Sequence, residues 1–254
     1  MFDRDSPTLS RRAALVAAAL FTLSTAAFTT AARAQAPADR NDRGGGYFQV
    51  GYMMLDVDGL NGTLAGAGYP QLDESFVTLG GGGFGMKGPF LIGGEGHAVI
   101  GSTETTVGGA TQLGLGGGYG LFRVGYLAYS YEDLDVFPML GVGGGGVSLT
   151  LVDRSAPTFD DVLADPQRSS NLSTGSFLLD ASLAAFYRFS FTDPPSADED
   201  DGPGGLLLGL QAGYTFAPGD SSWNLDTINN VAGGPYMKIQ GFYVRLALGG
   251  WGGG

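Results

Sequence analysis

Glu95 and His97 stand two residues apart, and His97 is the only histidine in the chain. An imidazole beside a carboxylate is the pairing a general base needs, and a hydroxyl such as Ser102 would complete a hydrolytic set acting on lipid. Two features count against that chemistry. Side chains of a strand alternate between its faces, so Glu95 and His97 share one face and Ser102 takes the other. No G-x-S-x-G elbow occurs anywhere in the sequence to present a nucleophile. The structural reading weighs more. Glu95 and His97 oppose Phe90, Ile92, Ala98 and Ile100, and the same alternation puts Asp180, Arg188 and Arg245 on the polar faces of their own segments. Charges inside one narrow interior must pair or be hydrated. The five residues are therefore expected to form a polar network that plugs a lumen, and no catalytic residue is assigned.

A second group of oxygen donors lies in Asp56-Val57-Asp58-Gly59-Leu60-Asn61-Gly62. Asp56, Asp58 and Asn61 could wrap a calcium ion, but the spacing departs from an EF-hand loop and lacks its final bidentate Glu. An Asp-Gly and Asn-Gly turn is the favoured reading. No cofactor is assigned.

The elements that must position these residues are strands. From Phe177 to Phe191 the odd positions are all apolar, while Asp180, Ser182, Arg188 and Ser190 fall on even ones. A membrane-crossing strand needs roughly 9 to 11 residues, so this segment suits lipid on one face and a polar lumen on the other. The same test gives eight candidate strands, near 47–58, 75–86, 89–102, 109–124, 135–152, 175–191, 205–217 and 237–251. Short turns at Met86-Lys87-Gly88-Pro89 and Tyr131-Glu132-Asp133 alternate with longer segments near 59–74, 153–174 and 218–236. Thr192–Gly204 breaks that alternation as a long acidic segment, with Asp198-Glu199-Asp200-Asp201 read as a solvated turn. An even strand count with short turns on one side and long loops on the other is the pattern of a bacterial barrel.

Glycine contributes 46 of the 254 residues without a collagen period. In Leu113–Leu121 the leucines and Tyr119 share one parity and glycine fills the other, which predicts apolar side chains toward lipid and glycine toward a crowded lumen. In the fifth strand Leu140 and Val142 are even, whereas Val147, Leu149 and Leu151 are odd. A bulge in Gly143–Gly146 is expected to restore one continuous apolar face.

Arg11 and Arg12 precede an apolar stretch to Ala27, and Ala32-Arg33-Ala34 has the small-residue pattern of a cleavage site. Residues 1–34 are therefore read as an export signal, 35–46 as a short flexible segment and 47–254 as one barrel domain. The arginine pair also partly fits a twin-arginine signal, with Ala14 where that motif has Phe. Beyond residue 34 the chain keeps 9 basic and 23 acidic residues, too few clustered cations for nucleic acid. It has no cysteine for disulfides or a lipid anchor and no 18-residue apolar run.

In strand number, loop alternation and apolar/polar dyads, the chain after residue 34 resembles small eight-stranded outer-membrane barrels of the OmpA and OmpX type. Gly241-Phe242-Tyr243-Val244-Arg245-Leu246 is similar to the final-strand signal of such barrels, although Gly252-Gly253-Gly254 follows Trp251 at the end. The resemblance implies an all-β, antiparallel, up-and-down transmembrane barrel in the outer membrane. It also implies outer-membrane lipid and the outer-membrane assembly machinery as partners, and a ligand, if any, at the outer loops. Two alternatives stay open: a soluble periplasmic or secreted barrel around an apolar ligand, and a Gly-rich protein that assembles through strand edges.

Overall fold

The computed structural model describes residues 42–106, 109, 111–153, 158–164, 169–191, 204–219, 221–225 and 229–253, without the side chains of residues 161, 162, 164 and 229. The export signal expected over 1–34 and the acidic run 198–201 lie outside the described residues.

Alternation along the sequence yields β1 (Arg43–Met54), β2 (Ser75–Lys87), β3 (Phe90–Thr105), β4 (Thr111–Tyr126), β5 (Tyr129–Tyr131), β6 (Leu134–Asp153), β7 (Ser169–Ser190), β8 (Gly204–Phe216), β9 (Trp223–Leu225), β10 (Asn229–Val231) and β11 (Gly241–Gly253). Two short helices, α1 (Asp58–Gly66) and α2 (Phe159–Ala164), sit in the connections. The eight long strands pair antiparallel in chain order, and β11 pairs with β1, so the sheet closes into an up-and-down barrel. Closure leaves no edge among these strands over the paired length.

The register fixes the barrel's shape. From Arg43 the partners run through Met86, Leu91, Gly125, Met139, Ser182, Gly213 and Tyr243 back to β1 at Met53. One circuit therefore climbs ten residues, from Arg43 to Met53. Eight strands with that stagger tilt by about 40°. Arg43 pairs with Gly253 and with Met86, so the start of β1 and the end of β11 share an end with the tight turn at Gly88, whose φ is 57°. The long connections 55–74, 154–168 and 217–240 lie at the other end, whereas the connection from Ser190 to Gly204 starts and finishes at the short-turn end.

Near the short-turn end and through the middle, the outward residues are apolar and exposed, among them Phe48, Val50, Ile92, Val124, Leu140, Leu183, Leu210 and Leu246. Aromatic residues bracket this surface, with Phe90, Tyr126 and Tyr187 toward the short turns and Tyr52, Phe177 and Phe242 toward the long loops. Tyr187 and Phe177 on β7 are ten residues apart. At ~3.3 Å per residue and ~40° of tilt that is about 25 Å along the axis.

Toward the long-loop end the rules change. β7 pairs with β8 only from Leu179–Phe216 onward, and its earlier residues pair with β9. There Leu113, Leu115, Val147 and Leu149 point inward and are buried with Leu60 and Leu64 of α1 and with Trp223, Met237 and Ile239 of the last long connection. Gln112, Ser148, Thr150, Asn171 and Ser173 take the outward positions. The strands of this wall thus rise past the apolar belt, and their interior is an ordinary hydrophobic core.

Three expectations are corrected. β6 keeps one register against β4 and β7 from Leu134 to Asp153, so Gly143–Gly146 holds no bulge and the parity switch is real. Leu140 and Val142 face out at the level of the belt, whereas Val147, Leu149 and Leu151 face into the core above it. Pro138 lies just beyond the last β4 partner, Gly125–Met139, where a missing N–H is tolerated. In β4 the leucine and tyrosine face is the inner one, and Gly114, Gly116, Gly118 and Gly120 look outward, because this strand lines the core for much of its length. The segment 35–46 was expected to be flexible, but β1 starts at Arg43 and Gly44–Gly46 pair with both neighbouring strands.

Candidate functional site

Inward side chains stack in three tiers between the two ends. The middle tier is polar and centres on Arg123, which is 1 % exposed. Its Nη2 donates to Glu95 Oε1 at 2.7 Å, and its Nη1 donates to Asp180 Oδ1 at 2.8 Å and to Ser182 Oγ at 2.8 Å. Arg245 Nη1 donates to the same Glu95 oxygen at 3.0 Å, and its Nη2 donates to Tyr119 OH. The Arg245 guanidinium lies 3.6 Å from the Tyr243 ring centroid, and Tyr243 OH donates to Asp180 Oδ1 at 3.0 Å. His97 Nε2 sits 3.0 Å from Glu95 Oε1 and 3.3 Å from Arg245 Nη1. Thr215 donates to the second Asp180 oxygen at 3.0 Å, and the Gln49 and Gln211 amides meet at 2.7 Å. With its oxygen turned toward Arg123, Gln211 accepts from Nη1 at 3.1 Å.

Glycine makes this crowding possible. Gly141 lies between Arg123 and Asp180 in the register, and a Cβ there would stand 3.2 Å from the Asp180 Cβ. The bare backbone lets the guanidinium cross β6 to its carboxylate. A Cβ on Gly51 would lie 2.7 Å from Arg245 Cγ, and one on Gly213 would lie 2.6 Å from Tyr243 OH.

Two guanidiniums thus face two carboxylates with hydroxyls and amides filling the remaining positions. A buried pair of this kind offsets its desolvation only when its other donors and acceptors are also satisfied. Below it, toward the short turns, Tyr47, Phe84, Phe137 and Phe186 form an aromatic tier. The void between these tiers, lined by Tyr47, Phe84, Arg123, Met139 and Phe186, has no room for a water molecule. Above the polar tier lies the apolar core. The described lumen is a packed interior.

Of the residues singled out by sequence, Glu95, His97, Asp180 and Arg245 meet in the polar tier. Arg188 does not. It points inward, but eight residues along β7 from Asp180, where its Nε stands 3.1 Å from Asp135 Oδ2 and its guanidinium 5.3 Å from the Trp251 ring. Phe186 and its aromatic neighbours separate the two groups. Arg43 Nη1 also approaches Asp135 Oδ2, at 3.4 Å, and Ser130 donates to Oδ1 at 2.7 Å. Arg123, the hub, was missed because β4 was taken to turn its leucines toward lipid. Its guanidinium shares their parity, and that charge was the available signal that the face is internal.

Nothing joins His97 to a nucleophile. Its Nε2 is engaged by Glu95 and Arg245, and Ser102 lies five residues along β3, about 16 Å of extended chain, within the register slip between Ile100 and Thr103. The calcium reading also fails on geometry. Asp58–Gly66 is helix, Asp56 Oδ1 accepts from the Asp58 backbone N–H, and Asn61 is committed to the backbone of Leu72 in both directions. Among the described residues no group of three acidic, histidine or cysteine side chains could hold a metal.

No family model matches the chain, and no curated protein matches it in sequence. Among solved structures it is similar to Ail, the attachment invasion locus protein of Yersinia pestis, at 10 % identity and a TM-score of 0.42, over 84 % of this chain and 97 % of that one. It is also similar to the outer membrane protease OmpT from Escherichia coli, at 10 % identity and a TM-score of 0.36, over 88 % of this chain and 99 % of that one.

Proposed function

We propose that this chain is a transmembrane barrel of the outer membrane with a structural or surface-binding role exerted through its outer loops, its lumen plugged by side chains. One observation carries the reading: the exposed face between the aromatic rows is leucine, valine, isoleucine and phenylalanine, while the interior at the same level holds Glu95, Arg123, Asp180 and Arg245. A soluble barrel around an apolar ligand would have these faces exchanged. An exposed apolar surface running around the barrel fits hydrocarbon, and the ~25 Å between aromatic rows fits the apolar band of an outer-membrane barrel. No helix among the described residues is long and apolar enough to cross a membrane.

The packed tiers support a plug over a diffusion pore, as is usual at eight strands. Binding falls to the long-loop end, where the β3–β4–β6–β7 wall, α1 and α2 stand clear of the belt. Phe159 and Leu163 on α2 are exposed there.

Cell fractionation tests the reading. The full chain should be recovered with the outer membrane and migrate faster on a detergent gel unboiled than boiled. Recovery in the soluble periplasmic or secreted fraction, with no difference on boiling, would overturn it. In planar bilayers the folded protein should give no stepwise conductance; steady open channels would refute the plug.

A further inference from the structure

We propose that the outward face of the β3–β4–β6–β7 wall above the belt docks the uncharged oligosaccharide headgroup of a glycolipid in the leaflet on the long-loop side. The inference rests on the membrane-barrel reading and names a partner for that end of it. Above the level of Phe177 the outward face carries Ser173 and Asn171 on β7, Ser148 and Thr150 on β6, Gln112 on β4 and Thr103 on β3. β9 continues it with Asn224, the partner of Ser173. The chain has 25 acidic and 13 basic residues, yet no described outward position of this wall above Phe177 is charged. The acids on these segments, Glu104 and Asp153, take the inner parity opposite Leu113 and Thr111. Arg154 and Arg168, in the connection from β6 to β7, lie outside the described residues.

Position and height select the partner. The face continues the lipid-facing surface upward without a break in register, so it meets whatever stands directly above the hydrocarbon. At ~3.3 Å per residue and ~40° of tilt, Ser173 and Asn171 rise about 10 and 15 Å above Phe177. A phospholipid headgroup layer is only about 5–8 Å thick, whereas a headgroup of more than one sugar reaches both rows. Phosphate would be met by Arg or Lys, which this face lacks. Hydroxyls and amides suit sugar hydroxyls instead, because each can donate and accept. The register sets Thr103, Thr150 and Asn171 in one row and Ser148, Ser173 and Asn224 in the next. Strands ~4.8 Å apart let one sugar ring meet several of them at once. Ser148 donates to Asn171 across the β6–β7 pair, which holds both side chains in place. Each bond to a sugar replaces one to water and is weak alone, but a lipid anchored beside the belt supplies a high effective concentration.

The chain has no cysteine, so Val152→Cys, on the outward parity between Gln112 and Ser169, carries a polarity-sensitive fluorophore with no competing label. The full chain would be reconstituted into phosphatidylcholine vesicles with rising fractions of digalactosyl diacylglycerol, and separately of phosphatidylglycerol. Emission should change saturably with the glycolipid and stay flat with phosphatidylglycerol. Ser148→Ala combined with Ser173→Ala removes two hydroxyls and should raise the half-saturating fraction about fivefold, the sum of two weak hydrogen bonds. Ser173→Thr keeps its hydroxyl and should leave the titration close to the parent's. Equal responses to the two lipids, or no response to either, would overturn the proposal, as would an unchanged titration in the double variant. A signal that follows protein density at fixed lipid composition would mark a second copy of the chain on this face and overturn it too. Each vesicle sample is first run unboiled on a gel. Failure to embed would refute the barrel reading, whereas an embedded barrel blind to the glycolipid would refute this inference alone.

Discussion

Phe177 divides β7 into two regimes. Past it, toward Ser190, Asp180 and Ser182 point inward while Leu179, Leu183 and Tyr187 face outward. Before it, Thr174 and Leu172 turn toward a hydrophobic core, and Ser173 and Asn171 take the outer face. β6 shows the same reversal between Val142 and Val147 with no break in register. Alternation decides which residues share a face. Which kind of residue the outer face carries depends on what surrounds it, hydrocarbon over the belt and water above. A leucine is stabilised by either arrangement provided it avoids water, by about 1.5–3 kcal/mol on full burial.

The sharpest way to break this contrast is at the hub of the polar half. Arg123→Gln leaves Glu95 and Asp180 without their shared guanidinium, and a buried pair broken on one side costs about 3–5 kcal/mol. Urea unfolding from lipid vesicles should show that loss in the midpoint. A change below about 1 kcal/mol would mean the tier is hydrated and not packed. Leu149→Ala, in the apolar core above, should cost about 3 kcal/mol through the cavity it leaves. Leu140→Ala, on the outer face of the same strand, should cost much less, because its methylenes contact mobile lipid. Charge reverses the ranking. Leu140→Arg should cost about 2–4 kcal/mol at mid-belt, whereas Thr150→Arg, above the belt, should stay within about 0.5 kcal/mol. Equal costs at the two positions would erase the boundary at Phe177.

Much of the fold was legible because a barrel over a belt obeys one simple rule. The eight strands, their chain-order pairing and the placement of long loops followed from dyads and turn residues, and the inner positions of Glu95, His97, Asp180 and Arg245 followed from parity. What was illegible has a physical cause. Leu113, Leu115, Val147 and Leu149 carry the same alternation as lipid-facing residues, and nothing local says that their strands have left the membrane. Arg188 was grouped with Asp180 because both are even, yet eight residues of tilted strand carry it past an aromatic tier. The Gly141 gap that lets Arg123 reach Asp180 across β6 exists only in the register. For Asp58–Gly66, turn chemistry favoured a loop, while burial of Leu60 and Leu64 against the core stabilised a helix despite its glycines.

The smallest expected effect tests whether the two regimes are also separate in stability. Asn61 Nδ2 donates to Leu72 O at 2.9 Å and its Oδ1 accepts from Leu72 N–H at 2.8 Å, closing the connection that carries α1 onto the core. Leu72 is buried, so Asn61→Ala strands both backbone groups, a loss of about 1–2 kcal/mol. None of these atoms lies within the belt. Protease cleavage within residues 55–74 should therefore rise severalfold while the unboiled gel shift and the urea midpoint of the barrel stay put. Calcium should not restore protection, since Asn61 serves the backbone and not an ion. If the variant instead loses its unboiled mobility, the outer core and the belt fold as one unit, and the boundary at Phe177 separates only their surroundings.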